Sequence, residues 1–164
     1  MKRRAWLSLG SNIERAANLR AAVAALRRRF GPLVLSPVYE SEAVGFDGDP
    51  FYNMVVGLES DLPVTELDRF LHRLETLQGR RRDGDRFAPR TLDLDLLTYG
   101  EGPLQEGDIR LPRSEILDYA FVLRPLADVA GEERHPLDGR RYRELWDAFD
   151  RPDQRLWPVP LVFD

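Results

Sequence analysis

The residues best suited to chemistry lie at positions 86–97, RFAPRTLDLDLL. Successive side chains of a strand point to opposite faces, so alternate residues share one. Leu92, Leu94 and Leu96 therefore face one way, toward a core, and Asp93 and Asp95 face the other way together. Carboxylates held that close repel each other unless a cation sits between them. Mg²⁺ suits the role, because it binds through one or two carboxylates plus waters and substrate phosphates. A pair of such ions about 3.5–4 Å apart can clamp the attacking and leaving oxygens of a displacement. For Asp-x-Asp alone, a half-exposed strand with solvated aspartates is the simpler account. Here Arg80, Arg81, Arg82, Arg86 and Arg90 come just before or beside the pair. Guanidinium groups fork onto phosphate oxygens, and polyphosphate transfer is mostly positioning and charge neutralisation. No Gly-x-x-x-x-Gly-Lys loop is present, which excludes a P-loop enzyme.

Composition narrows the class. The chain has 164 residues, 43% of them hydrophobic, which fits one domain spanning 1–164 with a sizeable core. Absence of cysteine excludes disulfides, thiolate catalysis and a Cys-based zinc site. With only His72 and His135 available, a multi-histidine metal site is not expected, and any metal should be a hard cation on carboxylates. The net charge of −4 argues against a nucleic-acid partner. No apolar run approaches the ~20 residues of a membrane span. The apolar start ends by Gly10, too early for a signal peptide's core, so a cytoplasmic location is expected.

The elements that must position these residues follow from periodicity. Residues 5–9 alternate as a strand, and Leu19, Val23, Leu26 and Phe30 mark one face of a helix that Gly31-Pro32 stops. Residues 33–39 read as a second strand, with Pro37 demanding an edge or a bulge. Residues 41–50 read as a loop and 53–58 as a third strand. A second helix opens at Pro63 with an apolar stripe of Leu67, Phe70, Leu71, Leu74 and Leu77. Residues 80–89 form a charged loop, expected to be mobile in the free protein and ordered by a phosphate ligand, and 91–99 form the fourth strand. The order βαββαβ predicts an α+β, ferredoxin-like fold, an antiparallel sheet with helices packed on one face. Beyond it, residues 121–123 look buried, 144–149 look helical, and 151–164 look like an extended tail.

The segment RFAPRTLDLDLL resembles the signature of the hydroxymethyl-dihydropterin pyrophosphokinase family. The likeness extends to LGSN at 9–12, VYESEAVG and PFYN within 38–53, LETLQGR at 74–80 and AFVLRPLADVA at 120–130. It implies pyrophosphoryl transfer from ATP to the hydroxymethyl group of a reduced pterin, releasing AMP, in folate biosynthesis. It further implies that Asp93 and Asp95 hold two Mg²⁺ ions. Arg80 and Arg90 would contact ATP phosphates, and Arg82 and Arg86 would belong to a loop closing over ATP. His72 and Glu75 would line the nucleotide pocket. Phe51 and Phe121 would sandwich the pterin ring, Asn53 would read its edge, and Val44 and Gly45 would bond it through the backbone. The chain departs from the common pattern at Arg113, where many members carry His, at Tyr119, where many carry Arg, and at Phe87, where the loop aromatic is often Trp. Arg113 is either a phosphate contact or a surface arginine. The proton of the attacking hydroxyl goes to Asp95 or to water. The expected partners are ATP and pterin, with no nucleic acid and no membrane, on a monomer. A ferredoxin-like nucleotidyl transferase or cyclase, which would release pyrophosphate, and a non-catalytic pterin- or nucleotide-binding paralogue are the alternatives.

Overall fold

The computed structural model describes residues 1–42, 50–79 and 92–163. Its elements are β1 (Arg3–Ser11), α1 (Arg15–Phe30), β2 (Val34–Leu35), β3 (Val38–Ser41), β4 (Phe51–Ser60), α2 (Val64–Gly79) and β5 (Asp93–Tyr99), followed by β6 (Leu104–Glu106), β7 (Ile109–Leu111), α3 (Glu115–Asp118), α4 (Ala120–Ala130), α5 (Tyr142–Asp147) and β8 (Leu156–Val159). The main sheet runs β5-β1-β4-β3-β8, with β2 also on β4, and every pairing is antiparallel. The chain is thus α+β.

Alternation along the strands divides the interior in two. Leu7 and Leu9 of β1, Val56 and Leu58 of β4 and Leu94 and Leu96 of β5 pack with Leu19, Val23 and Leu26 of α1 and Leu67 and Leu71 of α2. Trp6, Val55 and Leu97 point to the opposite face, where Ile116 of α3, Val122, Leu123 and Leu126 of α4 and Leu145 of α5 cover them. Sequence periodicity placed helices on one face only, so this second layer is an addition. It covers just part of its face and leaves the ends of β1, β4 and β5 open for the site.

Four expectations are corrected or refined. Residues 33–39 are not one strand. Pro37 has no N–H for the ladder, and Ser36 bridges the gap: its N–H donates to the Val55 carbonyl at 3.0 Å and its Oγ accepts the Val55 N–H at 2.8 Å. Leu77 is not on the buried stripe of α2 but 64% exposed, and Gln78, four residues after Leu74, takes the inward place. The C-terminal tail is not merely extended, since β8 pairs with β3 as the outermost strand of the sheet. The late helix spans Tyr142–Asp147 rather than 144–149.

Candidate active site

The ladder registers line up the site across the sheet. Gly10 of β1 lies opposite Asp93 on one side and Asn53 on the other, and Ser8 lies opposite Asp95 and Val55. These positions share the face turned away from α1 and α2. Alternation also places Leu97 on the face of Asp93 and Asp95, and a register shift against β1 after Trp6 inserts one extra residue into β5 beyond the aspartates. Small residues between the acidic and amide side chains make the floor of a cleft of about 280 Å³. Gly10 is required there, because a Cβ at that position would lie 2.8 Å from Asn53 Oδ1 and 3.9 Å from the Phe51 ring.

Two walls rise from this floor. Phe51 and Ser41, paired across β3 and β4, form one wall. Tyr119, Phe121 and Val122, where α4 begins, form the other. The Tyr119 and Phe121 rings stack at 5.0 Å between centroids and 24° between planes. The buried Asn53 amide donates to Ser41 Oγ at 2.9 Å, which fixes its orientation in the floor. An apolar slot with one oriented amide suits a flat, polar-edged ring.

A wider cleft of about 880 Å³ adjoins the slot, and Glu115 lines both. The wider cleft is bounded by His72 of α2, Leu96, the β6–β7 hairpin and Arg113. Arg113 Nη2 donates to Glu115 Oε2 at 2.5 Å and lies 3.9 Å from Asp95 Oδ1. That hydrogen bond is the main cause both of the raised Arg113 pKa and of the lowered Glu115 pKa, with burial opposing it in each. The pair is thus a fixed ionic link between the clefts.

Glu75 takes a different place from the one expected. It is not among the residues lining either cleft but sits beside β5, where its Oε2 accepts the Leu94 N–H at 2.6 Å. Burial raises its pKa, the Leu94 bond opposes that, and Asp93 and Asp95 raise it further. Because β5 ends the strand order, an edge N–H between the two aspartates takes a side-chain acceptor instead of a neighbouring strand.

The donor set of Asp93 and Asp95 fits a hard divalent cation. Both are half-exposed carboxylates on one strand face and line the slot. Among the described residues no group of three or more His, Cys, Asp or Glu side chains converges as a metal site.

Of the residues singled out from the sequence, Phe51, Asn53, Asp93, Asp95 and Phe121 come together in the slot, and His72 and Arg113 in the wider cleft. Val44, Gly45, Arg80, Arg82, Arg86, Phe87 and Arg90 lie outside the described residues. The sequence reading missed Ser8, Gly10 and Glu115. The period-2 pattern of β1 carries a signal for the first two, since small residues alternate there with Leu7 and Leu9.

A carboxylate pair between a ring-sized slot and a wider cleft bearing a cation is an arrangement for metal-assisted group transfer. The family model for 7,8-dihydro-6-hydroxymethylpterin-pyrophosphokinase (HPPK) matches residues 6–131, and the chain belongs to that family. It is 40% identical over 152 residues to the 2-amino-4-hydroxy-6-hydroxymethyldihydropteridine pyrophosphokinase of Pseudomonas aeruginosa, covering 90% of this chain and 93% of that one. It is 36% identical over 129 residues to the Bacillus subtilis protein of the same name, covering 76% and 77%. Among solved structures it resembles Plasmodium falciparum HPPK-DHPS with a TM-score of 0.70 at 15% identity, over 90% of this chain and 41% of that longer one. This likeness bears on the fold alone.

Proposed function

We infer that the chain transfers the pyrophosphoryl group of ATP to 6-hydroxymethyl-7,8-dihydropterin, giving AMP and the dihydropterin diphosphate, in folate biosynthesis. The observation that carries this reading is the position of Asp93 and Asp95 on the floor of the slot that holds Phe51, Asn53 and Phe121, next to the wider cleft. The pterin ring lies between Phe51 and Phe121 with its edge on Asn53, and its hydroxymethyl group points toward the aspartates. ATP takes the wider cleft along His72 and Arg113, so its phosphates run past Glu115 toward the same carboxylates. The hydroxymethyl oxygen attacks the β-phosphorus and gives its proton to Asp95 or to water, the bond from that phosphorus to the α,β-bridging oxygen breaks, and AMP leaves. Mg²⁺ bound at Asp93 and Asp95, as two ions, supplies charge neutralisation on the transferring group. Arg80, Arg82, Arg86 and Arg90 add cations from the segment preceding β5, with Phe87 as its aromatic, and Val44 and Gly45 contribute backbone bonds to the ring.

The strand order β5-β1-β4-β3, with α1 and α2 on one face, supports classing the core as ferredoxin-like. Residues of β1, β3, β4, β5, α3 and α4 line the slot together, which supports a single pyrophosphokinase domain over 1–164, taken to act as a monomer. Among the described residues no helix is long and apolar enough to cross a membrane. A cytoplasmic site of action accords with the cysteine-free composition.

Substitution of the carboxylates tests the assignment. Asp93→Asn and Asp95→Asn keep the side-chain shape and remove a negative ligand, so AMP formation should fall by about 100-fold or more while pterin binding persists. A near wild-type rate for Asp95→Asn at saturating Mg²⁺ would overturn it.

A further inference from the structure

The cleft has a support that the family match does not include, because that match ends at residue 131. Gln154, in the turn before β8, reaches the start of α4. Its Oε1 accepts the Ala120 N–H at 2.8 Å and its Nε2 donates to the Asp118 carbonyl at 3.0 Å. The first residues of a helix have N–H groups with no partner inside the helix, and no side chain of the adjoining Tyr119 caps this one. A glutamine 34 residues away in sequence does so instead, and it grips the chain on both sides of Tyr119.

The same segment also holds the opposite wall. β8 pairs with β3 from Val38↔Val159 to Ser41↔Leu156, so the ladder ends at a cleft residue. Trp157 Nε1 donates to Glu40 Oε1 at 3.0 Å. Glu40 Oε2 in turn accepts from Arg15 Nη1 at 2.7 Å, and that nitrogen also donates to the Pro50 carbonyl at 3.1 Å, next to Phe51. Arg155 adds a link to Glu42 at 3.3 Å, but both side chains are largely exposed, and such a pair adds little. Running from Gln154 to Val159, the chain thus ties the helix that carries Phe121 to the strand edge beside Phe51.

We propose that Gln154 is a positioning residue for ring binding: by clamping Asp118 and Ala120 it sets Phe121 at the correct distance from Phe51, with β8 as the fixed base of the clamp. This rests on the assignment of the slot to the pterin. A stacking slot gains its selectivity from the spacing of its walls, and a displacement of about 1 Å is enough to lose a well-oriented contact. Gln154 lines neither cleft, and the two residues it clamps flank Tyr119, with Ala120 adjoining Phe121 in the wall of the slot, so its effect falls mainly on the ring.

The test compares Gln154→Met, close in volume but without the paired amide groups, with Gln154→Glu, which keeps an acceptor for the Ala120 N–H and adds a negative charge favoured at a helix start. Affinities for 6-hydroxymethylpterin and for a non-hydrolysable ATP analogue with Mg²⁺ are measured by calorimetry on the full chain, alongside Phe121→Ala. Gln154→Met should weaken pterin binding by about 5- to 10-fold, the equivalent of one or two hydrogen bonds, and change nucleotide binding less than about twofold. Gln154→Glu should recover only part of the loss, because it keeps the Ala120 acceptor but cannot donate to the Asp118 carbonyl, and Gln154→Met added to Phe121→Ala should cost little more. If Gln154→Met aggregates, Gln154→Ser takes its place with the same expectation. Unchanged pterin affinity in the Gln154 variants beside a clear loss in Phe121→Ala overturns the positioning role and leaves the slot assignment intact. Parallel loss of both ligands, tracking a lower Tm, also overturns it. No effect of Phe121→Ala on pterin would overturn the slot assignment and this role with it.

Discussion

Gly10 and Asn53 face each other across the β1–β4 ladder so closely that a Cβ on the glycine would come within 2.8 Å of Asn53 Oδ1. Asn53 is buried and held by Ser41, so it has little room to give way. Gly10→Ala should therefore displace the amide from the cleft floor. The pterin KM should rise by about 10-fold or more, with the KM for ATP nearly unchanged, because the wider cleft does not include Gly10. Steady-state kinetics with each substrate varied in turn would check this, and equal changes in both constants would contradict it.

Glu75 is predicted to act through the backbone of the strand between the two aspartates. Its bond to the Leu94 N–H is charge-assisted and partly buried, so Glu75→Ala should lower stability by about 1–2 kcal/mol in urea unfolding. Freed from that bond, the edge strand should hold Asp93 and Asp95 less firmly. Activity should then fall and the Mg²⁺ concentration for half-maximal rate should rise. Glu75→Gln keeps an acceptor oxygen and should lie between wild type and Glu75→Ala in both readouts.

Much of this arrangement could be read from the sequence, for local reasons. Leu94 and Leu96 alternate with Asp93 and Asp95, and only a strand puts the leucines under α1 and α2 and the carboxylates together on the open face. Leu19, Val23 and Leu26 of α1 likewise announce their own face. What escaped the reading depends on partners distant in sequence. Gln154 meets Ala120 only because β8 adds to the sheet beside β3, a choice made by the tertiary arrangement of an otherwise featureless proline-rich tail. Leu77 fits the apolar spacing of α2, yet the buried face drifts to Gln78 because a period of 3.6 residues does not keep an i+3 step on the same line. Pro37 announced an edge or a bulge, but neither the split of the strand there nor its bridging by the Ser36 hydroxyl was visible.

His135 gives a prediction on pH. Its ring is buried, and Nδ1 accepts the backbone N–H groups of Leu137 at 3.2 Å and Asp138 at 2.9 Å, so that nitrogen carries no proton in the folded state. Burial lowers its pKa below the ordinary 6.5, and the nearby Asp138 opposes the shift. Arg140 pairs with Asp138, and the Tyr142 ring packs edge-on against the imidazole. Unfolded His135 takes up a proton at higher pH than folded His135 does. Its contribution to stability is therefore complete above about pH 6.5 and is lost as the pH falls through the lower folded value. Loss of the Nδ1 acceptor that serves two backbone N–H groups makes His135→Phe less stable than wild type at pH 7.5 by about 1–3 kcal/mol. Between pH 7 and 5 the variant should lose less Tm than wild type does. Parallel Tm profiles would show that the ring is not held neutral by the turn.

The central claim is that Asp93 and Asp95, between a ring slot and a nucleotide cleft, serve attack of a pterin hydroxyl on the β-phosphorus of ATP. Product identification tests it most directly. Purified protein is incubated with 6-hydroxymethyl-7,8-dihydropterin, ATP and Mg²⁺, and the nucleotide and pterin products are resolved by ion-pair chromatography. The prediction is AMP and dihydropterin diphosphate in equal amounts, with no AMP when pterin is omitted. Release of pyrophosphate with a nucleotidylated product, or binding of both ligands without turnover, would contradict it.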